Sequence, residues 1–336
     1  MNKKAVVLLS MTVCLAAPVW AQTELRVAVH DSFSLPKPLL QQFEQQNNIK
    51  LSVIKGGDSG ELLNKLILTR AKPIADVVYG LDNVSVYKAQ KAGILAANQP
   101  KVGAATVNLP HAVSVDYGYV VLNYDKAWFA KNKRPLPRTL ADLTQPQYKD
   151  LLVVPSPATS SPGLAFLMAN IAGLGEQQAF DWWAKMRANG VKVSKGWSDA
   201  YYNEFSQNGG SRPLVVSYAS SPAAEVFFSK GKYTNDSPTG NLFLKGGVFQ
   251  QVEGAAVLAG TNRGAEAAKF IQFLRSPAVQ KAIPTEMWVY PVVNNVPLDP
   301  VYRFAQVPKS HDSLPAATLS QKQQQWVSRW SRTVLR

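Results

Sequence analysis

Two tryptophans stand outside the periodic apolar segments of this chain. Trp197 lies in a glycine- and serine-containing turn at residues 195–198, and Trp288 lies between Pro284 and Pro291. A core tryptophan normally falls on the apolar face of a helix or strand, so these loop positions favour contact with a ligand. An indole face attracts a flat cation by about 0.5–2 kcal/mol, depending on desolvation. The pair therefore indicates a ligand-binding site with aromatic walls.

Four other tryptophans have positions that indicate packing instead. Trp182 and Trp183 lie on a predicted helix, and Trp326 and Trp330 are four residues apart on a predicted terminal helix. Side chains four residues apart share one helix face. We therefore predict that these four rings pack against the rest of the fold and do not contact a ligand.

Short hydroxyl and carboxylate side chains precede two predicted helices. Asp58 and Ser59 lie between a predicted strand and a helix, and Ser160 and Ser161 come directly before a helix that starts near Pro162. Each pair can simply cap its helix. A helix start also offers unpaired amides and the positive end of the helix dipole, so it can hold a hydroxyl or phosphate group. The two roles are compatible with a place in a ligand cleft.

The segment Gly-Asp-Ser-Gly at residues 57–60 superficially resembles the nucleophile sequence of a serine protease. A hydrolytic triad also needs a histidine base that is held by a carboxylate. The three histidines, His30, His111 and His311, lie in no recognisable catalytic motif. We therefore predict a binding protein with no enzymatic activity, no cofactor and no metal site.

The first 21 residues have the features of a secretion signal. Two lysines are followed by an apolar stretch at residues 5–17 and a small-residue cleavage site that ends at Ala21. The apolar stretch is too short to span a bilayer as a helix. We expect cleavage after Ala21 and a periplasmic protein. A lipoprotein signal that uses Cys14 is the alternative.

Composition excludes several other classes of protein. The formal net charge is +14, but the basic residues are scattered and form no basic-aromatic motif, so we predict no nucleic-acid partner. Cys14 is the single cysteine, and its loss with the signal would leave a chain without a thiol or a disulfide. Residues 22–336 are too many for one small core, which favours two domains or one bilobed unit.

The mature start predicts a doubly wound α/β arrangement. Leu25, Val27 and Val29 alternate along a strand, and the segment to residue 83 continues as helix, strand, helix, strand and the start of a helix. Ligands of such sheets bind beyond the carboxyl ends of the strands. The loops at residues 30–34, 56–60 and 80–83 therefore matter first.

A long strand-like run at residues 113–124 is suited to crossing between two lobes, and a second group of strands and helices follows it. We predict an α/β fold with two lobes, each a doubly wound sheet flanked by helices, and a hinge of crossing strands. The predicted boundaries are residues 22–115 plus about 246–288 for the first lobe and 116–245 plus about 289–336 for the second.

Several segments resemble known transport proteins. Residues 267–280, AAKFIQFLRSPAVQ, are similar to a stretch common to extracytoplasmic solute-binding proteins of the iron, thiamine and spermidine group. Other segments, in this order, resemble the family of thiamine-binding periplasmic proteins over nearly the whole mature chain. They are ADVVYGLDN at 75–83, DYGY at 116–119, TSSPGL at 159–164, KGWSDAY at 195–201, SY at 217–218, SSPA at 220–223, IPT at 283–285 and WVYPV at 288–292.

The resemblance implies a periplasmic binding protein fold of the type II kind, with two lobes that close over one ligand. It implies that the ligand is thiamine, thiamine monophosphate or thiamine diphosphate. It also implies delivery to an inner-membrane ABC permease and its ATPase, and we expect a monomer. The family's ligand contacts carry over to Asp58, Ser59, Ser160, Ser161, Trp197, Tyr218, Ser221 and Trp288.

Five further candidates are His30, Asp31, Asp82, Tyr201 and Tyr202. The two aspartates lie at the ends of predicted strands and can equally be helix caps. The sequence departs from the family pattern at His30 and at Ala224, since a tyrosine is usual at both positions. The loss of an aromatic ring would weaken the stack or leave room for a different ring.

Two other ligands remain open from the sequence. Adjacent tyrosines serve iron in related binding proteins, and Tyr201 and Tyr202 are adjacent here. Phenolate and carboxylate oxygens suit a hard cation such as ferric iron. A polyamine or another heterocyclic cation is the second alternative. The aromatic context of Trp197 and Trp288 favours a flat ligand over a bare metal ion.

Overall fold

The computed structural model describes residues 22–336. The predicted secretion signal, with its cleavage site after Ala21, lies outside the described residues. Among the helices that the structure describes, none is both long enough and apolar enough to cross a membrane.

The order of elements predicted for the mature start is confirmed. Leu25, Val27 and Val29 are buried on one face of the first strand, and Phe43 is the buried residue of the first helix. The elements of this half are β1 (Thr23–Val29), α1 (Lys37–Asn47), β2 (Ile49–Lys55), α2 (Ser59–Leu68), β3 (Val77–Asp82), α3 (Val86–Lys91), β4 (Val113–Asp125) and α4 (Lys126–Lys131).

The rest of the chain supplies a second group of strands and helices, as predicted. Short 3-10 turns at 142–144, 146–148, 206–208 and 300–304 and a π-helical turn at 200–204 connect them. The elements are β5 (Leu152–Pro155), α5 (Ser161–Leu174), α6 (Glu176–Ala188), β6 (Lys192–Ser194), α7 (Trp197–Asp199), β7 (Leu214–Tyr218), α8 (Ser221–Phe228), β8 (Thr239–Leu242), β9 (Phe249–Val257), α9 (Gly264–Leu274), α10 (Pro277–Glu286), β10 (Tyr290–Pro291) and α11 (Ala316–Val334).

The strands form one hydrogen-bonded sheet of mixed direction. Its order is β2-β1-β3-β9-β4-β7-β5-β6, and β8 and β10 also pair with β4. The strands β1, β2 and β3 are parallel at one end, and β5, β6 and β7 are parallel at the other. Both parallel groups carry helices, as expected for strands that must be covered on both faces.

The two strands β4 and β9 join the parallel groups. Residues 113–120 of β4 pair antiparallel with residues 249–255 of β9, and the later part of β4 pairs with β7. The other edge of β9 pairs with β3. The strand β4 contains the run at 113–124 that was predicted to cross between the lobes, and β9 is a second connecting strand whose crossing role was not predicted.

The apolar core is divided in the same way. One large cluster surrounds α5, α6 and α11, and another lies between β1, α9 and α10. The predicted packing of Trp182, Trp183, Trp326 and Trp330 is confirmed, since all four are buried in the first of these clusters. The exact lobe boundaries given above remain a prediction.

One helix begins later than the sequence pattern indicates. We predicted a helix from Asn83, whereas α3 starts at Val86. The Asp82 carboxylate accepts hydrogen bonds from the amides of Val84 (2.8 Å) and Ser85 (2.6 Å). An aspartate that bonds its own downstream backbone forms a turn in place of the first helical residues.

We expect Trp330→Ala to lower the free energy of unfolding by about 3–5 kcal/mol, because it removes a fully buried ring from the contact between α11 and α6. Urea unfolding followed by circular dichroism measures this. Leu335→Ala, which truncates an exposed side chain near the same helix end, is the control and should cost little. Equal effects of the two substitutions would contradict the assigned core.

Candidate ligand-binding site

A cavity of about 570 Å³ opens at the carboxyl ends of the parallel strands. Loops after β1, β2, β6 and β7 contribute to it, as do the start of α5 and the segment after α10. This volume is within the range of small-molecule sites. The predicted residues that line it are His30, Asp31, Asp58, Ser59, Ser161, Trp197, Tyr201, Tyr202, Tyr218, Ser221 and Trp288.

Two predicted site residues do not line the cavity. Asp82 is buried, and its carboxylate is used by the turn before α3 described above. Ser160 is buried directly before α5, and its carbonyl oxygen accepts a hydrogen bond from the amide of Leu164. Both residues therefore hydrogen-bond the backbone at the start of a helix near the site, and their contact with a ligand stays a prediction.

Trp197 is held rigidly at one wall. Its indole Nε1 donates to the Ser217 hydroxyl over 2.8 Å, and that hydroxyl lies 2.9 Å from the hydroxyl of Ser221. Its ring stacks on Tyr201 with centroids 5.1 Å apart and meets Tyr218 edge-on at 6.2 Å. A ring fixed in this way loses little conformational freedom when a ligand binds.

Trp288 forms a second aromatic wall. Its ring is parallel to that of Tyr302, with centroids 6.1 Å apart, and Phe227 and Phe228 pack edge-on against it. Its backbone has a φ of 59°, a region that costs a bulky residue on the order of 1–3 kcal/mol. The Ser220 hydroxyl donates to the carbonyl oxygen of Trp288 and helps to hold this conformation.

The rims of the cavity are bonded to each other. The Asp58 carboxylate accepts the amide of Trp197 over 2.9 Å, and Lys195 pairs with Glu61 at 2.9 Å. At Gly60 the backbone passes so close to Thr159 that an added Cβ would lie 2.7 Å from its carbonyl carbon. The loop after β2 is therefore joined to the loops before α5 and α7 across the cleft.

The cavity lining is acidic. Its carboxylates are Asp31, Asp58, Glu225, Glu253 and Glu286, and none of the described lining residues is a lysine or an arginine. The formal net charge of the whole chain is positive, so the charge of the cavity lining has the opposite sign to that of the chain. An enclosed group of carboxylates favours a cationic ligand.

A buried polar cluster lies behind the cavity, where β3, β4 and β9 meet. The Tyr79 hydroxyl is 2.5 Å from an oxygen of Asp116 and 2.7 Å from an oxygen of Glu253. A phenol has one proton to donate, so one of its two acid neighbours must keep a proton to satisfy both contacts. Glu253 also lies 3.4 Å from His30 Nε2.

The pKa values of Asp116 and His30 in this cluster are both raised. Burial, reinforced by the charge of Glu253, raises the pKa of Asp116 well above its usual value. Burial alone would lower the pKa of His30, but the neighbouring Glu253 carboxylate outweighs it, and the pKa is raised. The direction of these shifts favours a protonated Asp116 and a charged His30 on the two sides of Glu253.

His30 depends on a glycine for its position. Gly80 has a φ of 116°, and a Cβ at this residue would lie 2.8 Å from the His30 ring. The ladder between β3 and β9 is irregular at this point, between Tyr79 and Leu81. A larger residue at position 80 would displace the imidazole from Glu253.

Sequence reasoning missed several lining residues, most importantly Glu225, Glu253 and Phe228. Glu225 and Phe228 follow Ser221 by four and seven residues on α8, so their helical spacing from a predicted contact was an available signal. Glu253 lies in the middle of β9, and only the pairing of β9 with β3 and β4 brings it to the cavity.

We expect Asp116→Asn to gain stability relative to the wild type as the pH rises. Folding raises the pKa of Asp116 above its value in the unfolded chain, which is roughly 3.9. The wild type therefore loses stability as the pH rises from that value toward the pKa of the folded state. Asparagine does not titrate, so the variant has no such loss. Urea unfolding at about pH 5 and about pH 8 measures the difference. Asp181→Asn, at an exposed position of α6, is the control. A variant that becomes relatively weaker at the higher pH would mean that Asp116 is ionised.

Comparison with known proteins identifies the family. The family model for bacterial extracellular solute-binding proteins matches residues 72–307. A thiamine-binding periplasmic protein of Escherichia coli K12 is 36% identical over 332 residues, which cover 95% of this chain and 96% of the relative. The solved structure of a periplasmic thiamin binding protein superposes with a TM-score of 0.79 at 33% identity, covering 93% of this chain and 96% of that chain.

More distant structures share the fold alone. Iron-bound HitA from Pseudomonas aeruginosa superposes with a TM-score of 0.71 at 21% identity and covers 93% of this chain and 99% of that one. These likenesses confirm the two-lobed α/β fold class predicted from the sequence. The chain belongs to the family of bacterial extracellular solute-binding proteins, and its relatives there include the thiamine-binding periplasmic proteins.

Proposed function

We propose that this protein captures thiamine in the periplasm and delivers it to an ABC importer. The observation that carries the proposal is the cavity itself, whose aromatic walls at Trp197 and Trp288 enclose five carboxylates and, among the described lining residues, no lysine or arginine. Thiamine joins an aromatic pyrimidine to a permanently cationic thiazolium, which suits both features. The relatives named as thiamine-binding support the same ligand.

The tail of the ligand has its own candidate donors. Ser59, Ser161 and Ser221 are the first residues of α2, α5 and α8, and all three line the cavity. Helix starts carry positive partial charge and can accept a hydroxyl or a phosphate group. This supports binding of thiamine and of its mono- and diphosphate.

We propose binding without chemistry. Of the three histidines, His30 is the one that lines the cavity, and it pairs with Glu253, which leaves no base poised on a serine hydroxyl there. The remaining parts of the proposal rest on the family: a permease and its ATPase as partners, a monomeric state, and removal of residues 1–21 after export.

Ferric iron is less well supported by the geometry. Tyr201 is buried, its hydroxyl donates to Glu225 over 2.7 Å, and its ring stacks on Trp197, whereas Tyr202 is largely exposed. Burial, together with the charge of Glu225, raises the pKa of Tyr201 well above its usual value. The phenolate that a ferric ion requires is therefore disfavoured at Tyr201.

We expect thiamine to bind with measurable heat and to quench tryptophan emission. Trp197→Ala removes one stacking face, so the dissociation constant should rise about 2- to 30-fold. Isothermal titration calorimetry of the purified protein, stripped of any co-purified ligand, measures the heat and the dissociation constant. Fluorescence titration measures the quenching. Trp128→Ala removes an indole of α4 that does not line the cavity, and it should leave the affinity unchanged.

Mass spectrometry of any ligand that co-purifies with the protein identifies what the protein binds in the cell. Recovery of thiamine or a thiamine phosphate is the expected result. No heat with any of the three thiamine forms, together with tight binding of ferric ion or a polyamine such as spermidine, would overturn the proposal.

A further inference from the structure

The helix α8 presents one continuous face to the cavity. Ser221, Ala224, Glu225 and Phe228 all line it, at spacings of three, four and seven residues. Such spacings place side chains on one side of a helix. Ala224 carries only a methyl group between Ser221 and the larger Glu225 and Phe228, and we refer to this part of the cavity lining, together with Tyr202, as the recess.

Two aromatic rings border the recess and are exposed to solvent. Tyr202 is 57% exposed and Phe228 is 65% exposed, although both line the cavity. The Phe228 ring packs edge-on against Trp288 with centroids 5.5 Å apart, and the Tyr202 ring meets Trp197 edge-on, also at 5.5 Å. Each ring therefore extends one of the two indole walls toward the mouth of the cavity.

Glu225 lies within this recess and differs from the other lining carboxylates in what it contacts. Asp58 bonds the amides of Ser59 and Trp197, and Glu253 has Tyr79 and His30 as neighbours. Glu225 accepts the Tyr201 hydroxyl and is half-buried, and it has no ion-pair partner among residues 22–336.

A carboxylate surrounded by aromatic rings is a suitable environment for a delocalised cation. Ring faces attract the cation through their quadrupoles, and partial burial strengthens the attraction of the carboxylate. Asp31 accepts the Gly57 amide and Glu286 accepts the Ser34 hydroxyl, as Glu225 accepts the Tyr201 hydroxyl, so it is the position of Glu225 that distinguishes it. Glu225 is thus the carboxylate that lies beside exposed rings on the open side of the cleft.

We propose that the recess formed by Tyr202, Ala224, Glu225 and Phe228 is the subsite for the cationic ring of the ligand, with Glu225 as its counter-charge. This inference rests on the proposed function and assigns the orientation of the ligand within the cavity. The thiazolium lies against α8, and Phe228 supplies, one helical turn after Ala224, the aromatic face that Ala224 itself does not provide.

The test compares thiamine affinities of matched variants by calorimetry. Glu225→Gln keeps the shape but removes the charge, and we expect its dissociation constant to rise about tenfold or more. Glu225→Asp keeps the charge and should recover much of the loss. Glu24→Gln, at an exposed position on the opposite end of β1, controls for a general change in charge and should bind like the wild type.

Phe228 is tested in the same way. Phe228→Ala should raise the dissociation constant about 2- to 30-fold, whereas Phe228→Tyr should bind like the wild type because it retains a ring face. Circular dichroism confirms that each variant is folded, and tryptophan quenching at saturation confirms that the ligand still reaches Trp197.

The outcomes separate this inference from the proposed function. A wild type that does not bind thiamine overturns both. A wild type that binds thiamine while Glu225→Gln binds equally well overturns the subsite and leaves the proposed function intact. Equal weakening in Glu225→Gln and Glu225→Asp would also contradict it, because that pattern indicates a loss of shape and not of charge.

Discussion

The rest of the site depends on five carboxylates that line the cavity with no lysine or arginine among the described lining residues. Burial of a carboxylate is costly unless a cation or hydrogen-bond donors compensate for it. Here Asp58 and Glu253 are compensated by donors from the protein, and Glu225 accepts the Tyr201 hydroxyl. The cavity is therefore prepared for a solute that brings positive charge with it, and its indole walls require that solute to be flat.

The fold links this charge to the hinge. Asp116 lies on β4 and Glu253 on β9, the two strands that connect the parallel groups, and Tyr79 of β3 bonds both. Glu253 also lines the cavity. A cation that reaches Glu253 would thus interact with the same cluster that ties the crossing strands together. At the mouth, the bonds from Asp58 to Trp197 and from Glu61 to Lys195 hold the rims together.

Much of this could be predicted from the sequence because the signals were local. Alternation in β1 and the uninterrupted strand pattern at 113–124 gave the order of elements and the crossing connection. Trp197 and Trp288 were recognisable because they lie outside the periodic apolar segments, and both line the cavity. The serines at helix starts were visible for the same reason, since capping residues have characteristic positions next to helices.

The remaining features come from contacts that are distant in the chain. The partners of Tyr79 lie 37 and 174 residues away, so nothing near Tyr79 indicates a shared proton. Glu253 has no local signal of a functional role in the sequence of β9, and its place at the cavity follows only from the position of β9 between β3 and β4. At Asp82 the local signal was present but ambiguous, because a carboxylate at the end of a strand fits both a turn and a ligand contact. Its hydrogen bonds with the amides of Val84 and Ser85 show that it forms the turn.

The most direct test of the central claim is to compare thiamine with a neutral isostere, in which a carbon atom replaces the thiazolium nitrogen. Shape and aromatic area are then matched, and only the positive charge differs. If enclosed carboxylates and ring faces select a cation, calorimetry on the wild-type protein will show the isostere binding about tenfold or more weakly than thiamine. Equal affinities for the two compounds would contradict the account.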